Sequence, residues 1–332
     1  MKIPGVKTAK ALSRWVKARL LGGAMILGYH RVANVDSDEY DVCVSPEYFA
    51  EQMDVIRKYA HPISLSQLVG HLKNNSLPSK SVSVTFDDGY ADNLYQAKPV
   101  LEKYGIPATI FVCTGFPGKE FWWDELERLI LYTDADLHEL NQELEEGPLK
   151  WSPPSMHLEM DSSGDKANRK AFNRLLYQFL LPLDVEAREA LMKVTRRWSG
   201  VSLPMEVIAH RALNHAELLQ LTEGGLIELG SHTRSHPMLP HLSSKRQEDE
   251  IRSGKQDLES LLGKRVSGFA YPNGRATDDA KRIVRDTGFE YACTSLHDTV
   301  RPGRDLLALT RFWQQDIDGE RFMRSLNIWM KI

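Results

Sequence analysis

Two carboxylates stand side by side at Asp87-Asp88, followed at once by Gly89. Two imidazoles stand four residues apart in the run Gly230-Ser231-His232-Thr233-Arg234-Ser235-His236. Adjacent side chains in extended backbone point in different directions, so each carboxylate can take a separate job. Histidines at i and i+4 can converge on one cation if the backbone makes a helical turn there. One carboxylate and two imidazoles form a three-ligand set with room for water, the open arrangement of a catalytic zinc-type centre. The other carboxylate is then free to act as a general base on that water. A third cluster, Pro272-Asn273-Gly274, reads as a turn whose backbone N–H groups can face a developing oxyanion.

Such groups need rigid elements to aim them. Short apolar runs read as strands over Ala24–Tyr29, Ser81–Phe86, Ala108–Cys113, Leu226–Leu229, Ser267–Ala270, Tyr291–Thr294 and Leu306–Thr310. Helical patterns fall at Pro46–Ala60, Asn93–Tyr104, Leu242–Leu262 and Asp278–Thr287, with Gly105 and Gly288 as stops. This alternation argues for a parallel sheet or barrel. The Asp-Asp pair, the His run and the Pro-Asn-Gly turn each follow a strand. His30 and Arg311 lie at the C-terminal ends of two more. Five polar strand ends are the pattern of a TIM-like barrel, whose sites gather at that face. From about 120 to 213 the rhythm changes to helices alone: Trp123–Tyr132, Asp165–Leu180 and Val185–Trp198. The chain therefore reads as a basic segment over 1–23, a barrel over 24–119 and 214–332, and a helical insertion over 120–213.

Composition sets the outer bounds. The chain has 332 residues, 42% hydrophobic and 26% charged, with a formal net charge of −3, so a folded globular protein is expected and no global signal for nucleic acid exists. Cys43, Cys113 and Cys293 are far apart and odd in number, which reads as buried, reduced thiols. No run approaches the ~20 apolar residues of a membrane-spanning helix. The first 21 residues hold six Lys or Arg and no acid, and read as helical from Thr8 to Leu21. This segment is either a solvated arm or a peripheral contact with an anionic membrane surface. The apolar run after it ends in Gly28-Tyr29-His30-Arg31 without a cleavage pattern, so a core strand is expected in place of a signal peptide, and a cytoplasmic location with it.

Thr85-Phe86-Asp87-Asp88-Gly89 and Ser231–His236 resemble the first two motifs of the polysaccharide deacetylases, the NodB-type domains of carbohydrate esterase family 4. Pro272–Gly274 resembles part of the third motif. The resemblance covers about 24–119 and 214–330. It implies an α/β fold, a distorted TIM-like (β/α)7 barrel, here with a helical insertion. It further implies that Asp88, His232 and His236 bind a divalent metal, zinc foremost, with nickel, cobalt or iron left open. Asp87 would be the general base, and the Asn273 N–H would help stabilise the oxyanion. The Gly28–Arg31 run is similar to one in a bacterial branch tied to exopolysaccharide and lipid-linked sugars.

Three motifs depart from the family pattern. Ala270 stands where an arginine normally orients the base. No Asp and Trp pair is evident near Tyr291–Val300. Leu309-Thr310-Arg311 replaces the usual Leu-x-His, which removes the general acid. His30 is expected to fill that acid role, with Arg311 supporting the carboxylates or binding an anionic substrate group. Trp122, Trp123 and Tyr271 are the candidates for meeting the substrate, although anchoring of the inserted helices is the favoured reading of the two tryptophans. The expected activity is metal-dependent hydrolysis of the N-acetyl or N-formyl amide of an amino sugar, in a glycan or a lipid-linked saccharide. A small non-sugar amide, or a catalytically inactive glycan-binding role, are the alternatives.

Overall fold

The computed structural model describes residues 23–35, 38–147, 151, 166–201 and 210–330. The basic Thr8–Leu21 segment lies outside them. Among the described residues ten strands occur: β1 (Met25–Tyr29), β2 (Arg31–Val32), β3 (Cys43–Val44), β4 (His61–Pro62), β5 (Ser81–Phe86), β6 (Ala108–Val112), β7 (Ile227–Ser231), β8 (Gly268–Ala270), β9 (Tyr291–Cys293) and β10 (Phe312–Trp313). The main sheet is parallel throughout and runs β10-β1-β5-β6-β7-β8-β9, with β4 attached to β5. β5 reads Ser-Val-Ser-Val-Thr-Phe and is buried at every position. Its hydroxyls do not remain unsatisfied: Ser83 donates to the Ile63 carbonyl and Thr85 to the Leu27 carbonyl, each at 2.9 Å. Alternating small polar residues are thereby tolerated inside a fully covered sheet.

The sheet closes into a seven-stave barrel through a split last stave. Leu309 pairs with β9, its N–H donating to Ala292 O and its O accepting from Thr294 N–H, both at 2.8 Å. Three residues later Phe312–Trp313 pairs with β1. Leu306–Thr310 is therefore not the strand expected from its apolar run. Asp305 accepts the Leu307 N–H at 3.0 Å and starts a 3-10 turn over Leu306–Ala308. A local cap offers the backbone an alternative to the ladder. Arg311 consequently sits in the break between the two half-staves, ahead of β10 and not at a strand's C-terminal end.

Helices fill most of the crossovers, as βαβ units require. Capping boxes start Leu65–Lys73 (Ser64 with Gln67) and His215–Thr222 (Asn214 with Glu217). Between β6 and β7 the described residues add the helices Trp122–Leu131, Leu137–Glu146, Lys166–Leu180 and Val185–Ser199. They share their own apolar cluster, including Leu126, Leu129, Phe172, Leu176 and Met192, separate from the barrel core. Two single bridges, Glu120 with Arg211 and Tyr90 with Ala212, bring the two ends of this segment together beside β5. Among the described residues no helix is long and apolar enough to cross a membrane.

Candidate active site

β5 ends directly in the two aspartates. Asp87 N–H still bonds to Tyr29 O, while Asp88 turns into the left-handed region (φ 72°), as does Gly89 (φ 83°). This twist sends the two carboxylates apart. Asp87 meets Arg311, whose Nη1 and Nη2 donate to Oδ1 and Oδ2 at 2.6 and 2.7 Å. Arg311 is fully buried; its Nε bonds Thr294 O at 3.2 Å and its guanidinium lies 4.6 Å from the Trp313 ring centre. Burial alone would raise the Asp87 pKa, but Arg311 and the neighbouring histidines outweigh it and hold the carboxyl at about 2. Arg311 thus supports the carboxylate; fully enclosed, it is not available to an anionic substrate.

Asp88 has the opposite surroundings. Its Oδ1 is buried and accepts no hydrogen bond. Nε2 of His232 and Nε2 of His236 face that oxygen at 3.6 and 3.7 Å. Burial, reinforced by the Asp87 charge, pushes the Asp88 pKa well up. Burial also lowers both histidines, which leaves them neutral. His232 Nδ1 lies 2.8 Å from Ala270 O, so the ring donates there and turns the lone pair of Nε2 toward Asp88. An orphaned carboxylate oxygen facing two imidazole lone pairs fits a divalent cation: donors around tetrahedral zinc stand roughly 3.3 Å apart. Cys113 Sγ also falls within 4.8 Å of the Asp88 and His232 donors. Its thiol donates to His232 O at 3.3 Å, and burial pushes its pKa well up.

The histidines do not converge through a helical turn. Residues 232–236 form an irregular loop with left-handed Thr233 (φ 66°) and His236 (φ 52°), and His236 N–H bonds Thr233 Oγ1 at 3.2 Å.

These groups floor a cavity of about 600 Å³. His30, Asp87, Asp88, His232, His236, Asn273 and Trp123 all line it. His30 stacks on Trp313 (4.5 Å, 16°), and burial, only partly offset by Asp87, lowers its pKa to about 4. Gly28 makes room for that indole, since a Cβ there would stand 2.8 Å from the Trp313 ring. Asn273 is left-handed (φ 55°), and its N–H takes no part in a turn held by Gly274 N–H to Tyr271 O and Arg275 N–H to Pro272 O.

Trp122 and Tyr271 do not line the cavity. Trp122 stacks on Tyr177 (5.4 Å, 15°) under the Arg188 guanidinium, and Tyr271 is buried with its hydroxyl donating to Leu307 O at 3.0 Å. Both fill cores. Trp123 is nearly buried, stacked on Phe121 at 4.7 Å and packed on His236 at 4.9 Å. Its Nε1 donates to Tyr90 OH at 2.7 Å, and Tyr90 donates to Asp124 at 2.8 Å. The sequence reading missed Tyr90, Trp313, Tyr40 and Tyr177 in the cavity wall. Of these only Tyr90, adjacent to Asp-Asp-Gly, carried a positional signal.

Residues 74–141 and 200–292 match the polysaccharide deacetylase family. These two stretches form that family's domain. The matched stretches contain Asp87, Asp88, His232, His236 and Asn273; the first also takes in the helix Trp122–Leu131, and the gap between them holds Lys166–Leu180 and Val185–Ser199. The Bacillus subtilis protein YxkH is 36% identical over 106 residues, covering 30% of this chain and 35% of that protein. The poly-beta-1,6-N-acetyl-D-glucosamine N-deacetylase of Staphylococcus aureus is 31% identical over 111 residues, 29% of this chain and 38% of the relative. The chain thus matches little more than a third of the length of these curated relatives. The Streptococcus pyogenes deacetylase PplD, solved in complex with acetate, superposes with a TM-score of 0.59 at 19% identity over 92% of this chain and 98% of that one. This likeness shows the fold: the NodB-type (β/α)7 barrel. The family generally depends on a divalent metal, and the Asp88 donor set accommodates one.

Proposed function

We propose that this protein is a metal-dependent N-deacetylase acting on the acetamido or formamido group of an amino sugar, in a glycan or a lipid-linked saccharide. The observation that carries this reading is the orphaned Asp88 Oδ1, faced by two neutral imidazoles beside an ion-paired Asp87. Asp88, His232 and His236 would hold the cation, with zinc the first choice for two nitrogen donors and one oxygen donor. When bound, the cation supplies Lewis acidity to the attacking water and to the amide carbonyl.

The chain's own groups do the rest. Asp87 takes the proton of the water as it attacks the carbonyl carbon. Arg311 keeps Asp87 ionised and fixes its direction. The unengaged Asn273 N–H donates to the oxyanion that forms. The C–N bond breaks only if the amine receives a proton, and His30, on the same wall, would carry it there from Asp87. Trp123, Tyr40 and Tyr177 give the cavity aromatic sides that suit a sugar ring. A cytoplasmic position at the inner membrane face, with the basic residues 1–23 as a peripheral contact, belongs to the same reading.

The test is release of acetate and free amine from N-acetylhexosamine oligomers and from lipid-linked N-acetylhexosamines. Activity that is lost with chelator and in Asp87→Asn supports the proposal. A protein that binds zinc but cleaves only soluble non-sugar amides would redirect it to another C–N hydrolase.

A further inference from the structure

The loop that carries His232 and His236 has little regular hydrogen bonding of its own. What shapes it is the helix Ser244–Leu262, packed alongside. Three residues at i, i+4 and i+7 on that helix, Glu250, Gly254 and Asp257, form one stripe facing the loop. Glu250 Oε2 accepts the backbone N–H groups of Arg234 (3.0 Å) and Ser235 (2.8 Å), and Oε1 accepts the Ser235 hydroxyl (2.6 Å). One carboxylate therefore satisfies two consecutive N–H groups between the two histidines.

Gly254 sits in the middle of the helix, where glycine is unfavourable by about 1 kcal/mol relative to alanine. Space explains it: a Cβ there would stand 2.8 Å from both the carbonyl carbon and the oxygen of Thr233. Asp257 accepts the Thr114 hydroxyl at 2.7 Å and lies 3.7 Å from Arg234 Nε. The loop is also fixed to the chain after β6, by Thr114 N–H to Thr233 O and Gly115 N–H to Arg234 O. The loop is clamped by these two surfaces in the conformation that places His236 in the left-handed region.

We infer that the Glu250–Gly254–Asp257 stripe is a positioning device for the metal-ligand loop, with Glu250 the main clamp. It rests on the metal-site reading for its consequence in metal affinity, but the clamp itself concerns the loop alone. None of the three residues touches substrate. Their effect passes through the direction of His236 and His232. Outer groups of this kind commonly change metal affinity 10- to 100-fold.

The test uses the full chain with Glu250→Ala, Glu250→Gln and Gly254→Ala. Two readouts are taken: zinc affinity by competition with a chromophoric chelator, and amide hydrogen exchange of residues 231–237 in metal-free protein. Glu250→Ala should accelerate exchange of these amides at least about tenfold, leave the β1 and β5 amides unchanged, and weaken zinc binding by about 10- to 100-fold. Glu250→Gln, which retains an acceptor oxygen for the N–H pair, should stay within about threefold of wild type in zinc affinity. Gly254→Ala should weaken zinc binding although it improves helix propensity; a merely structural helix would gain. Unchanged loop exchange in Glu250→Ala, or zinc affinity in Gly254→Ala equal to or tighter than wild type, would overturn the inference. If Glu250→Ala does not fold, Gly254→Ala and Glu250→Gln decide it. A wild type that binds no zinc, nickel or cobalt sinks the metal reading, while the exchange data still judge the clamp.

Discussion

The two halves of the cavity floor start from the same residue type and end in opposite states. On the β10 side, Asp87 is saturated: two guanidinium N–H groups take both of its oxygens. On the β7 side, Asp88 keeps a bare, buried oxygen facing two lone pairs. Both are equally removed from solvent, so exposure does not separate them. The partner does: one has a built-in cation, and the other is arranged to receive one. Where environments push neighbouring titratable groups apart, roles are being divided.

Breaking the saturated half should have the largest effect on turnover. Asp87→Asn is expected to lower kcat by about 10³-fold, within the range for loss of a general base, while zinc stoichiometry stays at the wild-type value. If turnover persisted, Asp87 would not be the base.

The unsaturated half should show itself in stability. Asp88 has a raised folded pKa, so in metal-free protein its contribution favours folding while protonated and is lost as pH rises through that value. Asp88→Asn should therefore make the metal-free protein more stable at neutral pH, by about 1–3 kcal/mol, while abolishing the stabilisation that added zinc gives wild type. Urea unfolding with and without zinc checks both. Asp87 has the reverse sign. Its folded pKa of about 2 lies below the ordinary 3.8, so its pairing stabilises above the ordinary value and is lost as pH falls through about 2.

A smaller effect should come from Arg311→Lys, which keeps the charge but not the two-pronged geometry. Asp87 should move back toward the ordinary carboxylate value, and the pH–rate profile should fall more steeply on the acid side than that of wild type. The mildest change is Tyr90→Phe. It removes the acceptor of the Trp123 N–H and the donor to Asp124, and a fall of about three- to tenfold in kcat/KM is expected, with zinc affinity kept.

The sequence exposes the donors because strand ends announce themselves: apolar runs terminate in Asp-Asp-Gly and in the His run, and β5 and β6 lie within a residue of their expected limits. It hides whatever depends on a distant partner. The strand-end position of Arg311 suggested support for the carboxylates but left an anionic substrate group as the alternative, and the apolar Leu306–Thr310 run conceals the cap from Asp305 that breaks the last stave. The expected helical turn at His232–His236 fails for a similar reason. Glu250 bonds the Arg234 and Ser235 N–H groups, which holds them in a conformation that spacing alone does not specify. Trp122 and Tyr271 looked like sugar contacts because large aromatics suit both rings and cores; which one holds depends on packing that only the fold decides.

The split last stave also sets an order of events during synthesis. Asp87 and Arg311 are 224 residues apart in the chain. A nascent chain made from its N-terminus exposes β1, β5 and both aspartates long before the segment that seals them has left the ribosome. Until then Asp87 has no guanidinium, β1 has a free edge, and the inserted helices have already been made. Contacts of such range close late. The barrel and its base are thus completed in one act, by the same few residues, and an unfinished chain is a chain with its chemistry switched off.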